Sequence, residues 1–284
     1  MDAQPAPAIL SVVIPVLNEA QCIERTLRQL VAQEGIDEII VVDNGSDDQT
    51  PHLVAEFAAE HPMVELLHQP TRGTAFARNI GFDKARGDFI ARTDADTIVE
   101  DDWSAVIREF FTAHPDTAAL TGLCTYHDSP IGFVLAFGQG LMVRLGRLGG
   151  RVGNIYGPNM AIRRDAWIQI RDDTHVRADV AEDLDLALCL LKQGLRIDQV
   201  TDMRARTSSR RRRTSPYRFW RFQMIGLRTL RNHGIEPRRI DRVVVTMAWL
   251  THTIQWPVYR FWDFHRRRFS LRPGAERISA VGDH

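Results

Sequence analysis

From Ile9 to Val16 the chain is apolar and rich in β-branched residues, the pattern of a parallel strand buried on both faces. The run breaks at Pro15-Val16-Leu17-Asn18-Glu19, where Asn18 is placed to cap a helix and Gln21 to complete a capping box. Ile23, Leu27, Leu30 and Val31 then recur at helical spacing. Glu38 to Val42 predicts a second strand, which also ends in a polar burst, Asp43 to Asp48. A helix from about Gln49 to Glu60 and a strand at Val64 to Leu67 follow. Arg72-Gly73-Thr74 reads as a glycine turn opening a helix with Arg78 on its early turns. The next apolar strand begins near Asp88 and runs directly into Asp94-Ala95-Asp96. Strands alternating with helices predict an α/β fold with a mostly parallel central sheet.

The second half is less regular. Ile131 to Val143 is apolar and glycine-containing, 13 residues long and so too short to span a bilayer; it reads either as a flap over an acceptor site or as a core helix. Gly157 to Arg163 alternates like a strand, and Asp165 begins a helix. Glu182 opens another helix to Gln193, with Leu184, Leu188 and Leu191 on its expected buried face and Gly194 as its stop. Leu195 to Val200 predicts a further strand. Aromatic and aliphatic residues from Tyr217 to Leu227 interleave with Arg218, Arg221, Arg228 and Arg231, a composition suited to a helix in a membrane interface. Val243 to Trp262 is the most apolar stretch, but it carries His252, Gln255, Pro257 and Arg260. A charge inside a span is costly, so an amphipathic helix packed on the protein or on a bilayer surface is expected instead.

An apolar content of 44% in 284 residues supports a sizeable core. The formal charge is zero, but most acids precede Asp202 and arginine dominates after it, which points to an anionic partner for the C-terminal third. No nucleic-acid motif accompanies that charge, and nucleic acid is not expected as a partner. Cys22, Cys124 and Cys189 are too scattered for a disulfide framework or a zinc site. The first eight residues lack the basic start and apolar run of a signal peptide. The expected location is the cytoplasm, peripherally at the inner face of the cell membrane.

The chemistry collects at strand ends. Asp94 and Asp96, at i and i+2 of an extended segment, would point the same way and converge on one ligand; the bland alternative is a solvated turn. Glu19, Asp43 and the Asp94/Asp96 pair follow three different strands, and ligand sites of alternating βα units lie at such carboxyl ends. Arg78 near a helix N-terminus suits a phosphate. Acids at a helix start, Glu182 and Asp183, are ordinarily dipole partners. The run Arg210 to Arg213 reads as a solvated loop, a diphosphate contact or an attraction to anionic lipid.

Taken in order, Val12 to Glu19, Val41 to Asp48, Arg72 to Gly81, Asp94-Ala95-Asp96, Gly157 to Arg164 and Ala181 to Asp185 resemble the family 2 glycosyltransferases, which have the GT-A fold. The resemblance implies an inverting transfer of one sugar from a UDP- or GDP-linked donor to a hydroxyl, on a glycan or lipid-linked acceptor of the cell envelope. It places donor contacts at Pro15, Asn18, Glu19, Asp43, Arg72, Arg78 and Asp94, and Mg²⁺ or Mn²⁺ on Asp96 and Asp94. Asp183 is the implied base, with Glu182 as its neighbour or substitute. Asn159 and Arg210, Arg211, Arg212 and Arg213 are candidates for the acceptor or diphosphate. Asn44 stands where many members carry a second acid. The Gln-x-x-Arg-Trp signature of processive synthases is absent, which favours single transfer. The implied plan is a disordered N-terminus at 1–8, a GT-A domain over 9–207, a basic aromatic helical extension over 208–270 and a polar tail over 271–284. A nucleotidyltransferase, or a non-catalytic membrane-associated protein keeping a nucleotide-sugar site, is the rival reading.

Overall fold

The computed structural model describes residues 8–274 apart from Ala178 and His265. Of the N-terminus expected to be disordered, 1–7 lie outside the described residues, as does most of the polar tail, whereas Ala8 is described and packs against the core. The central sheet begins with four parallel strands, β1 (Leu10–Val16), β2 (Glu38–Asp43), β3 (Val64–His68) and β4 (Phe89–Thr93), joined by α1 (Ile23–Val31), α2 (Thr50–Glu60) and α3 (Thr74–Lys84). The short β5 (Ile98–Val99), α4 (Trp103–Ala113), β6 (Thr117–Tyr126), α5 (Gly132–Arg144), β7 (Gly150–Arg151) and β8 (Asn159–Arg163) come next. After them run α6 (Arg164–Ile170), α7 (Glu182–Lys192) and β9 (Arg196–Thr207). The strand order is β3-β2-β1-β4-β8-β6-β9-β5, with β7 beside β9. β8 runs antiparallel to both β4 and β6, while β6 and β9 are parallel. The carboxyl ends of β1, β2, β4, β6 and β9 consequently share one edge. A 3₁₀ turn at Arg210–Arg213, α8 (Pro216–Asn232), α9 (Arg239–Arg260) and a small hairpin, β10 (Trp262–Asp263) and β11 (Arg268–Phe269), complete the chain.

Strand alternation divides the core into two layers. Val12, Ile14, Ile39 and Val41 face α1, α2 and α4, whose Leu27, Phe57 and Trp103 they meet. Val13, Ile40 and Val42 face the opposite way, in the layer holding Phe82, Trp167 and Leu186 from α3, α6 and α7. A side chain is excluded at Gly81, where a Cβ would lie 2.3 Å from Val13 Cγ1. Only glycine lets α3 sit this close to the sheet.

Several expectations change. Asn18 and Gln21 form no capping box: α1 starts after Cys22 without a side-chain cap, because Asn18 at φ 55° turns its side chain to the neighbouring loop. On α7 every position from Asp185 to Leu190 is buried, so Leu188 is buried as expected, while Leu184 and Leu191 are only half-buried: the helix is enclosed over most of its circumference and not along one stripe. The expected strand over 195–200 extends to Thr207 through an irregularity in its pairing with β6. α5 is not a core helix, since Gly132 is its only buried residue. Among the described residues no helix is long and apolar enough to cross a membrane.

Candidate functional site

Two loops at the carboxyl edge are stitched together by backbone-directed side chains. The Asn18 amide N–H donates to Ser46 Oγ at 2.9 Å, while Asn18 Oδ1 accepts the Asp47 N–H at 2.8 Å. Glu19 N–H donates to Thr50 Oγ1 at 2.8 Å. Asp43, at the end of β2, accepts the Ser46 N–H at 3.2 Å and lies 3.5 Å from His68 Nδ1. Asn44 is buried and clamps the next loop, donating to the Gln69 and Thr71 carbonyls and accepting from Gly73 N–H. These roles require an amide: a carboxylate could accept but not donate. Pro15 lies on β1 opposite Val42. The ladder from β1 to β4 stops at Val13 and Arg92, so the missing N–H of Pro15 costs no bond where the two strands part.

The parting leaves room for Asp94 and Asp96. Rather than continuing extended, the chain turns, with Thr97 N–H donating to the Asp94 carbonyl at 3.0 Å. Asp94 contacts Arg92 at 3.2 Å, and burial together with the neighbouring Asp96 raises its carboxyl above the usual range against the opposing pull of Arg92. Asp96 accepts from Arg210 Nη2 at 2.8 Å, and the same nitrogen reaches Glu19 Oε2 at 2.7 Å. Burial disfavours the Arg210 charge, but Glu19 and Asp96 more than offset that effect and hold it protonated. One guanidinium thus joins the acids at the ends of β1 and β4. Oxygen donors in this arrangement fit a hard divalent cation: the paired acids already draw in a positive group.

Behind them is a buried ion network that the sequence pattern did not reveal. Arg92 reaches Glu182 Oε1 at 2.5 Å, and Arg78 Nη1 reaches Glu182 Oε2 at 3.2 Å and its carbonyl at 2.5 Å. Burial would raise the Glu182 carboxyl, yet the two guanidiniums hold it below the usual range. Glu182 is therefore a fixed anion. Asp183 differs: burial and the Glu182 charge raise it, against Arg92 and the Leu184 and Gly157 N–H groups. Arg92 links the Asp94 turn to the first turn of α7, which carries both acids. A signal existed in the sequence, an arginine on the alternating face of an otherwise apolar strand, two residues before Asp94.

The remaining candidates scatter. Arg78 has 0% exposure, which corrects its expected diphosphate role: α3 points the side chain inward to Glu182. Asn159 is likewise fully buried, donating to the Leu123 and Met203 carbonyls and accepting from Trp103 Nε1. With these polar groups engaged, it is a structural junction and not an acceptor contact. Arg72 is exposed and pairs with Asp47 at 3.0 Å. The arginine run is not a solvated loop. Arg210 serves the acids, Arg212 lies over Tyr126, and Arg213 lies over Phe264. Arg211 is exposed over Phe222, and its charge is felt at Asp94. A cleft of about 410 Å³ lies between β6, α5 and the 148–156 segment, with Cys124, Gln139 and Tyr156 in its wall. Asp94 contributes to raising both Cys124 and Tyr156, which burial dominates, so the cleft adjoins the acidic turn.

A second cluster lies one turn along α7. Asp185, fully buried, accepts from His175 Nδ1 and His233 Nε2 at 2.7 Å each, and from the His175 N–H at 2.9 Å. Among the described residues this is the group of three potential metal ligands, with ligand atoms within 4.8 Å of one another. Two imidazoles sharing one carboxylate oxygen satisfy that oxygen without a cation. The cluster acts as a clasp between α7 and the end of α8.

The family model for glycosyl transferase family 2 matches residues 11–170, which include Glu19, Asp43 and both acids of the 94–96 turn. The chain is 31% identical over 114 residues to a poly-beta-1,6-N-acetyl-D-glucosamine synthase of Staphylococcus epidermidis, covering 40% of this chain and 28% of that protein. It is 36% identical over 98 residues to the glycosyltransferase GlyG of Streptococcus pneumoniae, 33% of this chain and 32% of that one. Each match spans about a third or less of the relative. In fold, the chain resembles the mannosyltransferase PcManGT of Pyrobaculum calidifontis, solved with GDP-Man and Mn²⁺, at a TM-score of 0.65 and 20% identity over 91% of this chain and 76% of that one. It also resembles residues 1–349 of S. aureus TarS with UDP-GlcNAc, at 0.57 and 17% over 91% and 81%. The family match covers more than half of the sequence and takes in the acidic edge, and on that ground the chain belongs to glycosyl transferase family 2.

Proposed function

We propose that the protein transfers a single sugar, with inversion, from a nucleoside-diphosphate donor to an acceptor hydroxyl of a lipid-linked or cell-envelope glycan. The observation that carries this reading is Arg92, which ties Glu182 at 2.5 Å and Asp94 at 3.2 Å, so that Asp183 sits beside the acidic turn. In this reading Asp43 and the 18–19 loop hold the nucleoside, and Asp94 and Asp96 hold Mg²⁺ or Mn²⁺ when the donor binds. Such a cation compensates the charge that develops on the leaving diphosphate. Arg211, with Arg210 once it leaves Asp96, replaces Arg78 as the diphosphate contact.

Asp183 accepts the proton of the acceptor hydroxyl while that oxygen attacks the anomeric carbon. The bond from that carbon to the diphosphate oxygen breaks as the new bond forms on the opposite face, and the nucleoside diphosphate leaves. A carboxyl raised by burial is the better base of the two acids, because proton affinity must be appreciable near neutral pH. Glu182 instead stays ionised and positions Arg92. The 410 Å³ cleft beside the turn is the proposed acceptor channel. The nucleotidyltransferase and non-catalytic readings yield to the family assignment.

The test is a thermal-shift panel of UDP-, GDP- and dTDP-sugars with and without Mn²⁺, on the wild type and on Asp96→Asn. A donor that raises Tm only with the metal, and only in the wild type, is the expected result. A donor shift that is independent of Mn²⁺ and survives Asp96→Asn would remove the metal from the proposal.

A further inference from the structure

The last long helix is built inside out. One side of α9 packs on α8 and on the arginine turn through polar and aromatic groups. His252 is fully buried with Nε2 at 2.8 Å from the Thr214 carbonyl, and the indoles of Trp249 and Trp256 donate to the Pro216 and Arg213 carbonyls at 3.0 and 3.1 Å. The outward side is aliphatic. Ile240, Val243, Met247, Leu250, Ile254 and Val258 recur every three or four residues and are between 36% and 78% exposed. Within this helix of 22 residues the stripe from Ile240 to Val258 is roughly 27 Å long at about 1.5 Å per residue. Soluble monomers rarely leave so continuous an apolar surface bare.

A second exposed patch lies close by. Phe133 and Phe137, one turn apart on α5, are 77% and 74% exposed. The entry to α5 and the exit from α9 are joined, with Ser129 Oγ at 2.7 Å from the Tyr259 hydroxyl and Trp262 Nε1 donating to the Asp128 carbonyl at 2.8 Å. Asp128 also accepts from Ser208 and Ser209 at the end of β9, so both helices border the mouth of the candidate site.

Charge selects the occupant. Exposed arginines stand at both ends of the stripe, Arg238 and Arg239 before it, Arg242 beside its first turn, and Arg266, Arg267 and Arg268 after it. The acid within the stripe's first turn, Asp241, is committed to Arg238 in the helix cap. Nineteen arginines stand against five acids after Asp202. A second copy would bring these cations against their like, whereas an anionic headgroup layer complements them and takes up the apolar side chains beneath.

We propose that the outward face of α9, with Phe133 and Phe137 of α5, seats the protein in the interface of an anionic bilayer, lying along it without crossing. This deepens the functional reading, on which it rests for one point only: the acceptor is an amphiphile whose hydroxyl is presented at headgroup level. It also changes the mode of attachment expected from the sequence, because Arg210, Arg212 and Arg213 are engaged internally and the binding surface is chiefly apolar.

The test is flotation of the full chain with vesicles of phosphatidylcholine alone or mixed with phosphatidylglycerol, using the double variants Met247→Glu/Ile254→Glu and Phe133→Ser/Phe137→Ser. All four positions are exposed, so the folds should persist, as checked by thermal unfolding. Binding to mixed vesicles that weakens but persists in high salt, and falls at least about tenfold in the α9 variant and measurably in the α5 variant, is the expected result. Binding equal in wild type and variants would overturn the proposal. So would light scattering that finds a dimer in vesicle-free buffer dissolved by the same substitutions, which would assign the stripe to a second copy. Donor-dependent Tm shifts are read in parallel on the same variants: lost vesicle binding with an intact donor shift fails this inference alone, and vesicle binding by a protein that no nucleotide sugar stabilises fails the transferase reading alone.

Discussion

Asp183 is in tension with the stability of the native state, whereas Arg210 supports it. Burial and Glu182 raise the Asp183 carboxyl, so folding favours its protonated form. The stability this confers is fully present below the unfolded value and is lost as pH rises through the higher folded one. Asp183→Asn should therefore raise Tm at neutral pH while transfer falls by about 10²–10⁴-fold and donor binding is kept. Near-normal turnover, with Tm unchanged or lowered, would return the base to Glu182 or Asp185. The acid limb of kcat/KM against pH should correspondingly lie above the ordinary aspartate range. A limb inside that range would show that the ionising group is not Asp183. Arg210→Ala takes a cation from two buried carboxylates, Glu19 and Asp96, and should cost about 3 kcal/mol in metal-free buffer. Mn²⁺ should then raise Tm more in this variant than in the wild type, and an equal or smaller rise would mean that Arg210 and the metal do not compete.

At the scale of elements, buried polar junctions fix how the strands and helices meet. Asn159 joins β6, β8, β9 and α4 through the Leu123 and Met203 carbonyls and the Trp103 indole. Asn159→Ala would leave these groups buried without that partner, at about 1–3 kcal/mol for each. The expected outcome is a large drop in urea midpoint, whereas a stable variant with only a raised acceptor KM would restore the role its motif suggested. His233→Ala should loosen the clasp of α8 on α7, lowering stability and kcat together. Unchanged hydrogen exchange along α7 would show that α8 does not steady the base.

For the molecule as a whole, the expected division sets a domain over 9–207 apart from an appended extension, yet the two share buried contacts. Ile225 and Leu227 of α8 are buried, His233 closes on Asp185, and Arg210 enters the acidic edge. We expect a fragment ending at Thr207 to lack cooperative unfolding and a donor-dependent Tm shift. A well-folded, donor-binding fragment would restore the extension to an independent part.

The sequence by itself determined the α/β alternation and the strand ends bearing Glu19, Asp43, Asp94 and Asp96. Local apolar period and polar breaks are properties of neighbouring residues. Only the tertiary structure decided which charges meet: Arg78 sealed against Glu182, Asn159 spent on carbonyls of two strands, Arg210 drawn 114 positions back in the chain to Asp96. Periodicity shows that a residue faces inward or outward, but an ion pair depends on which elements pack side by side. The same holds for α9, whose amphipathic pattern was legible while the direction of its apolar face was not, because helical spacing is unchanged when the whole helix is rotated about its axis.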